Sequence, residues 1–237
     1  MRYVFCVVIA LALVGCANGY RDFYKDAGAD TYQLDLLQAG QLPELVQSRV
    51  LNNDMPRYLA KNFQIIGVSS FNGKMHSDKD LIEQAKSVGA TVVIYGSQFV
   101  TTQLISSPLV LPNGLGGYNM TSISNQQMRY DQSAVFLAKS RKKPRVGLLV
   151  DELTPAQRKS LGTNMGVRIA LVHDDSPAYY ANMFMGDVVV NIDGVVIAGY
   201  ADFSRIMGSL PVGSTDIKLG VLRDGKSLDV VINLPAK

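Results

Sequence analysis

The chain offers little material for catalysis. It has two histidines, His76 and His173, two cysteines, Cys6 and Cys16, and no tryptophan. A serine hydrolase needs a nucleophilic serine in a glycine-rich turn, backed by histidine and aspartate. No Gly-x-Ser-x-Gly occurs. His76 lies in "KMHSDKD", a polar approach to a helix, and reads as solvated. His173 precedes Asp174 and Asp175 on a turn, and no second histidine stands at metal-ligand spacing. "NGLGG" lacks the lysine and following helix of a phosphate loop. Asp151 and Glu152 end an apolar run, as the polar end of a strand or as charges that repel or select a passing peptide. No catalytic residue, metal ligand or cofactor is therefore assigned.

The N-terminus carries a different chemistry. "MRYVFCVVIALALVGC" has a cation at Arg2, an apolar run from Tyr3 to Val14, then Gly15 and Cys16. The run is about a dozen residues, short of the ~20 that a spanning helix needs. A basic start, short apolar core and small-residue exit mark a secretory signal. "LVGC", Leu13 to Cys16, resembles the lipobox of bacterial lipoproteins, which implies cleavage before Cys16 and a lipid on its thiol. Ala17 in place of aspartate implies the outer membrane, facing the periplasm. Cys6 leaves with residues 1–15, so no free thiol remains for catalysis or metal.

Composition bounds the rest. Hydrophobic content of 47% with 18% charged residues is ordinary for a folded protein. The formal charge is +3, with no basic stripe or zinc-finger spacing, so no nucleic-acid partner is assigned. The run "KSRKKPR", 139–145, reads as an exposed linker.

The elements that would position a site divide into three stretches. Residues 16–41 are polar, with irregular apolar spacing, and read as a tether, although Tyr20, Phe23, Tyr24 and Tyr32 offer an alternative by packing on the first domain. Residues 42–139 read as a small α+β domain. Asp54 caps a helix with Pro56 in its first turn. "FQIIGVSSF" is a strand, and Ser77 or Asp78 starts a helix that Gly89 stops. "TVVIYGSQFVTT", 91–102, is a buried strand and 128–139 a return strand. Between them 103–128 reads as a long excursion. Phe71, Gly73, Ala85, Lys86, Gly89 and Ala90 resemble a domain of bacterial envelope proteins that often precedes a PDZ domain.

The third stretch is 140–237. "GVRIALV" is a strand, Ser176-Pro177 opens a short helix that Gly186 closes, and "DVVVNI" is a buried strand turned by Asp193-Gly194. Asp202 caps "FSRIMGSL", whose Phe203, Ile206 and Leu210 form an apolar stripe, and Asp224-Gly225 turns a final hairpin. This succession resembles the PDZ domains attached to HtrA serine proteases. The resemblance implies capture of an extended peptide or protein C-terminus as an added strand. Gly147, Leu148 and Leu149 would present backbone amides to the terminal carboxylate, Val150 would continue the edge, and Ile206, Met207 and Leu210 would line the last side chain's pocket. For each of these, plain core packing stands as an equal alternative. Tyr179 and Tyr180 depart from the pattern.

The expectation is an α+β chain: a small sandwich-like α/β domain, then a PDZ-like partly open β-barrel with two helices. It would be lipid-anchored through Cys16 and non-enzymatic, and would bind peptide ends as an adaptor or quality-control accessory. The alternatives are a structural envelope protein with a closed groove and a divergent HtrA-related peptidase.

Overall fold

The computed structural model describes residues 18–113 and 117–236. The expected signal peptide and the lipid-bearing Cys16 lie outside the described residues. Among the described residues no helix is long and apolar enough to cross a membrane.

The first sheet is built around a long hairpin. In chain order its elements are α1 (Gly19–Asp22), β1 (Tyr24–Asp26), a 3-10 turn at Thr31–Gln33, β2 (Leu34–Asp35), β3 (Glu44–Gln47), α2 (Leu51–Ala60), β4 (Phe63–Gly73), α3 (Asp78–Val88), β5 (Val92–Asn113) and β6 (Gly117–Ser140). The strand order is β1-β4-β6-β5-β3, with β2 beside the end of β6; β3 runs parallel to β5, and the other pairs are antiparallel. "VVI", 92–94, is continuously apolar because both faces of the sheet are covered. Val93, Phe136 and Ala138 pack with Leu81 and Ala85 of α3 on one face. Val92, Ile94 and Leu137 pack with Tyr58 of α2 on the other.

Three expectations fail here, each for a physical reason. The assigned tether is folded over much of its length. Tyr20 is 2% exposed and sets its ring edge-on against Phe71, 5.0 Å between centroids. Leu34 is fully buried, and β1 pairs with β4. A large aromatic ring buries enough surface to dock a segment that lacks helical or strand periodicity. Second, residues 103–113 and 117–128 are no loose excursion, because the β5–β6 ladder runs from Val92↔Leu137 to Asn113↔Gly117 with one register shift, between Phe99 and Thr101. Third, α2 starts at Leu51 with Val50 as its cap residue, leaving Asp54 in the first turn and Pro56 inside the helix.

The second sheet follows a short connection. Its elements are β7 (Leu148–Glu152), α4 (Pro155–Leu161), β8 (Val167–Val172), α5 (Pro177–Tyr180), β9 (Val188–Ile192), β10 (Val195–Val196), α6 (Tyr200–Ser209), β11 (Ile217–Arg223) and β12 (Lys226–Ile232). The order is β12-β11-β9-β8-β7, with β10 folded back on β9. Strand β8 alternates buried and half-buried residues, as one covered face requires. The architecture is α+β, as the patterning predicts. The second domain has three helical segments where two were expected. The additional one, α4, carries a capping box: Thr154 and Gln157 satisfy each other's backbone N–H groups.

Candidate peptide-binding groove

The candidate groove is bounded by β7 and α6. Strand β7 ends the sheet order, and its only strand partner among the described residues is β8. Its other edge carries no strand. At its head Gly147 has φ +85°, and an added Cβ would run into the Ser176 side chain. Only glycine fits that conformation in that space. The loop's carbonyls are committed inward: Val146 O accepts from Ala178 N at 3.0 Å, and Gly147 O accepts from His173 N at 2.8 Å. Among the described residues no acceptor takes the Gly147 N–H.

Helix α6 is pinned beside β7 at both ends by charges from the strand's own flanks. Glu152 accepts the Tyr200 N–H at 2.6 Å, at the helix N-terminus. A Cβ on Gly199 would lie 2.6 Å from the same carboxylate oxygen, so a larger residue would push Glu152 away. At the other end Arg145 donates to the carbonyls of Met207 (3.3 Å), Leu210 and Pro211 (3.1 Å). A carboxylate at the N-terminus and a guanidinium at the C-terminus both match the helix dipole. Strand β7 thus sets the spacing of the groove through its flanking residues. Asp202 does not stand at the cap position; Gly199 does, and Asp202 accepts the Ala198 N–H at 3.1 Å from the first turn.

The residues expected to line the groove fall into three groups. Val150, Ile206 and Met207 are 7%, 9% and 5% exposed and belong to the core of the second domain. For Ile206 and Met207 this is the core-packing alternative, because the apolar stripe of α6 covers the sheet, and Val150, expected to serve the edge by its backbone, turns its side chain inward by alternation. Leu148 and Leu210 are half-buried against that core. Leu149 is 50% exposed, on the face opposite Leu148 and Val150, so only its backbone can serve the edge. Asp151 pairs with Arg168 across the β7–β8 ladder at 2.8 Å, and Glu152 also meets Arg158 at 3.2 Å. Both carboxylates are occupied and neither is free to select a peptide.

The remaining titratable groups have structural partners. His76, expected to be solvated, has a side chain only 9% exposed, set edge-on to Tyr20 and Phe71. It meets Asp80 at 3.3 Å, while the Ser77 hydroxyl donates to Asp80 and not to His76. That is the capping box of α3, with no serine-to-histidine relay. Burial tends to raise the Asp80 carboxyl, but hydrogen bonds from the Ser77 backbone and hydroxyl, with His76, hold it below its ordinary value. His173 is half-buried at the junction between the domains, where Asp174 N donates to Ala60 O of α2 at 2.8 Å. Burial lowers its pKa, opposed by the carbonyls of Leu59 and Ala60 and by Asp174. A cleft of about 1000 Å³ opens at this junction, lined by Lys61, Lys139, Lys143, Asp174 and Tyr180 among others. No group of three or more metal-ligating side chains occurs among the described residues.

Sequence reasoning missed both clamps, Arg145 and Glu152. Arg145 was absorbed into a basic run, and only folding brings it to the end of α6. Helix α4 was missed as well, although Thr154-Pro-Ala-Gln157 is a legible capping-box signature.

A family model described as "PDZ domain" matches residues 138–234. The periplasmic serine endoprotease DegP of Salmonella typhimurium is 27% identical over 175 residues, 71% of this chain and 35% of that protein. DegP of Escherichia coli K12 is 28% identical over 159 residues, 65% of this chain and 32% of the other. A probable DegP-like endoprotease of Pseudomonas putida is 32% identical over 91 residues, covering 37% of this chain and 19% of that protein. The chain thus spans about a third or less of the length of these relatives. Among solved structures, the HtrA-type protease AlgW with a decapeptide aligns with 55% of this chain and 41% of its own, at 19% identity and a TM-score of 0.35. The edge strand, the glycine at its head and the flanking helix all lie within the residues that the PDZ-domain model matches, and the chain is similar in sequence to the DegP endoproteases.

Proposed function

We propose that this protein is a non-catalytic binding protein of the bacterial cell envelope, and that its PDZ domain takes up the C-termini or extended segments of other chains. The observation that carries this reading is the β7 edge, which among the described residues has no strand on its outer side and no acceptor for the Gly147 N–H at its head. A backbone added there completes the sheet, and its terminal carboxylate meets the loop amide. The envelope location rests on the periplasmic relatives and on the signal-like first residues. The lipid on Cys16, the outer membrane and the adaptor or quality-control role belong to the same proposal. No Gly-x-Ser-x-Gly occurs in the sequence, and the non-catalytic part of the proposal rests on that expectation.

Titrating a library of C-terminal peptides onto the chain tests the reading. Saturable micromolar binding that weakens when peptide ends are amidated is expected, and silence across the library overturns it. A second reading, a structural protein with a shut groove, is favoured by the burial of Val150, Ile206 and Met207 in the core. Under it, peptides leave the β7 amide resonances unmoved, and the remaining surfaces do the binding.

A further inference from the structure

The longest uncharged stretch of the chain includes a two-stranded arm. From Ser87 to Met128, between Lys86 and Arg129, the sequence has no Asp, Glu, Lys, Arg or His. Strand β3 leaves β5 after the Gln47↔Tyr95 pair, and β4 leaves β6 after Gly73↔Tyr130. Beyond those points β5 and β6 continue as a two-stranded arm, Thr101–Asn113 against Gly117–Arg129, with no third strand among the described residues. About a dozen residues at ~3.4 Å each carry it roughly 40 Å from the body. Leu104 and Met128 are 66% and 57% exposed on it. A two-stranded ribbon is marginal in water by itself, and a third strand is what stabilises it.

The two edges of the arm differ. Strand β5 carries Pro108 and Pro112, in continuous register with Ser122 and Tyr118. Proline fits within a strand where its missing donor faces away from the neighbour, so the outward edge of β5 lacks two donors. Strand β6 from Gly117 to Met128 has no proline, no charge and no register irregularity. Those are the devices that ordinarily blunt an exposed edge.

We propose that this edge of β6 pairs antiparallel with the same segment of a second copy about a two-fold axis, giving a four-stranded sheet with β6 strands at its centre. A two-fold edge contact sets a segment against itself, so a charge close to the axis meets its own copy. An uncharged segment escapes that penalty in every register. The prolines of β5 then end the sheet on both sides, and assembly stops at two copies. A lipid-facing strand surface would instead need one continuously apolar face. The register denies it: Leu104 opposes Gln126 and Ser106 opposes Ser124 on one face, and Ile105 opposes Asn125 on the other.

Sedimentation of the full chain tests the proposal, with one triple variant carrying lysine at Ser122, Ser124 and Gln126 and another carrying glutamate there. The natural chain is expected to be a dimer. Each triple variant is expected to be a monomer with unchanged circular dichroism, and an equimolar mixture of the two is expected to regain the dimer. A monomeric natural chain overturns the proposal, as does a lysine variant that stays dimeric or a mixture that stays monomeric. Membrane-embedded protein with residues 117–128 shielded from protease overturns it in favour of the bilayer.

Discussion

Arg223→Ala should unfold the second domain more readily than Asp187→Ala, although both break one ion pair. Asp187 opens the turn into β9 and its side chain is 2% exposed, while the Arg223 side chain, at the end of β11, is 28% exposed. The pair is bidentate: Arg223 Nε and Nη2 each donate to an Asp187 carboxylate oxygen at 2.7 Å. Losing the arginine strands a buried carboxylate with one remaining donor, the Phe184 N–H at 2.9 Å. An uncompensated buried charge costs about 3–5 kcal/mol, and near-complete burial argues for about 4. Losing the aspartate instead leaves Arg223 with water, the Asn182 carbonyl at 2.9 Å and the Phe184 ring at 4.5 Å. About 2–3 kcal/mol is expected there. The double variant should cost less than the two singles summed, with a coupling of about 3 kcal/mol. For a domain of this size 4 kcal/mol corresponds to roughly 15–30 °C in Tm. With no tryptophan in the chain, far-UV circular dichroism in urea is the assay, and the first domain serves as internal reference. Equal costs for the two singles, or a coupling below about 0.5 kcal/mol, would refute the reasoning.

Further expectations follow from the same structure. Gly147→Ala forces a Cβ against Ser176 at positive φ, and should cost about 2–3 kcal/mol together with peptide binding, read by urea unfolding and titration. Glu152→Ala frees the N-terminus of α6 and should destabilise the second domain by about 1–2 kcal/mol, with faster amide exchange at Tyr200 as its signature. Tyr20→Ala removes a buried ring from the first domain and should cost about 3–5 kcal/mol; a true tether would show no change. His173 has a folded pKa below its ordinary 6.5, burial being the main cause. Its contribution is complete above the unfolded value and lost as pH falls through the folded one, so stability should decline below about pH 6.5 and His173→Gln should flatten that slope.

The elements legible in the sequence are those whose signals are local. Ser77, the spacing of Leu81 and Ala85, and Gly89 bound α3 as expected. The Ser176-Pro177 start and the Asp193-Gly194 and Asp224-Gly225 turns also stand where the residue types put them. The docking of residues 18–35 was legible only as an alternative to a tether, because Tyr20 and Leu34 are held by Phe71, Ser69 and Arg141, which are distant in sequence. The arm was hidden for a related reason. Serine, threonine, asparagine and glutamine read as loop, yet a ladder that is already in register carries them on as strand.

The sequence alone determined the α+β class, the order of the second domain's strands and turns, and the glycine at the head of the candidate edge. Those follow from backbone preferences that each residue expresses with its near neighbours. Only the tertiary structure decided that β7 is an edge, that Arg145 and Glu152 clamp α6 beside it, and that Val150, Ile206 and Met207 face the core. A free edge and a charged clamp are relations between segments far apart in the chain, and local preference carries no information about which segments meet.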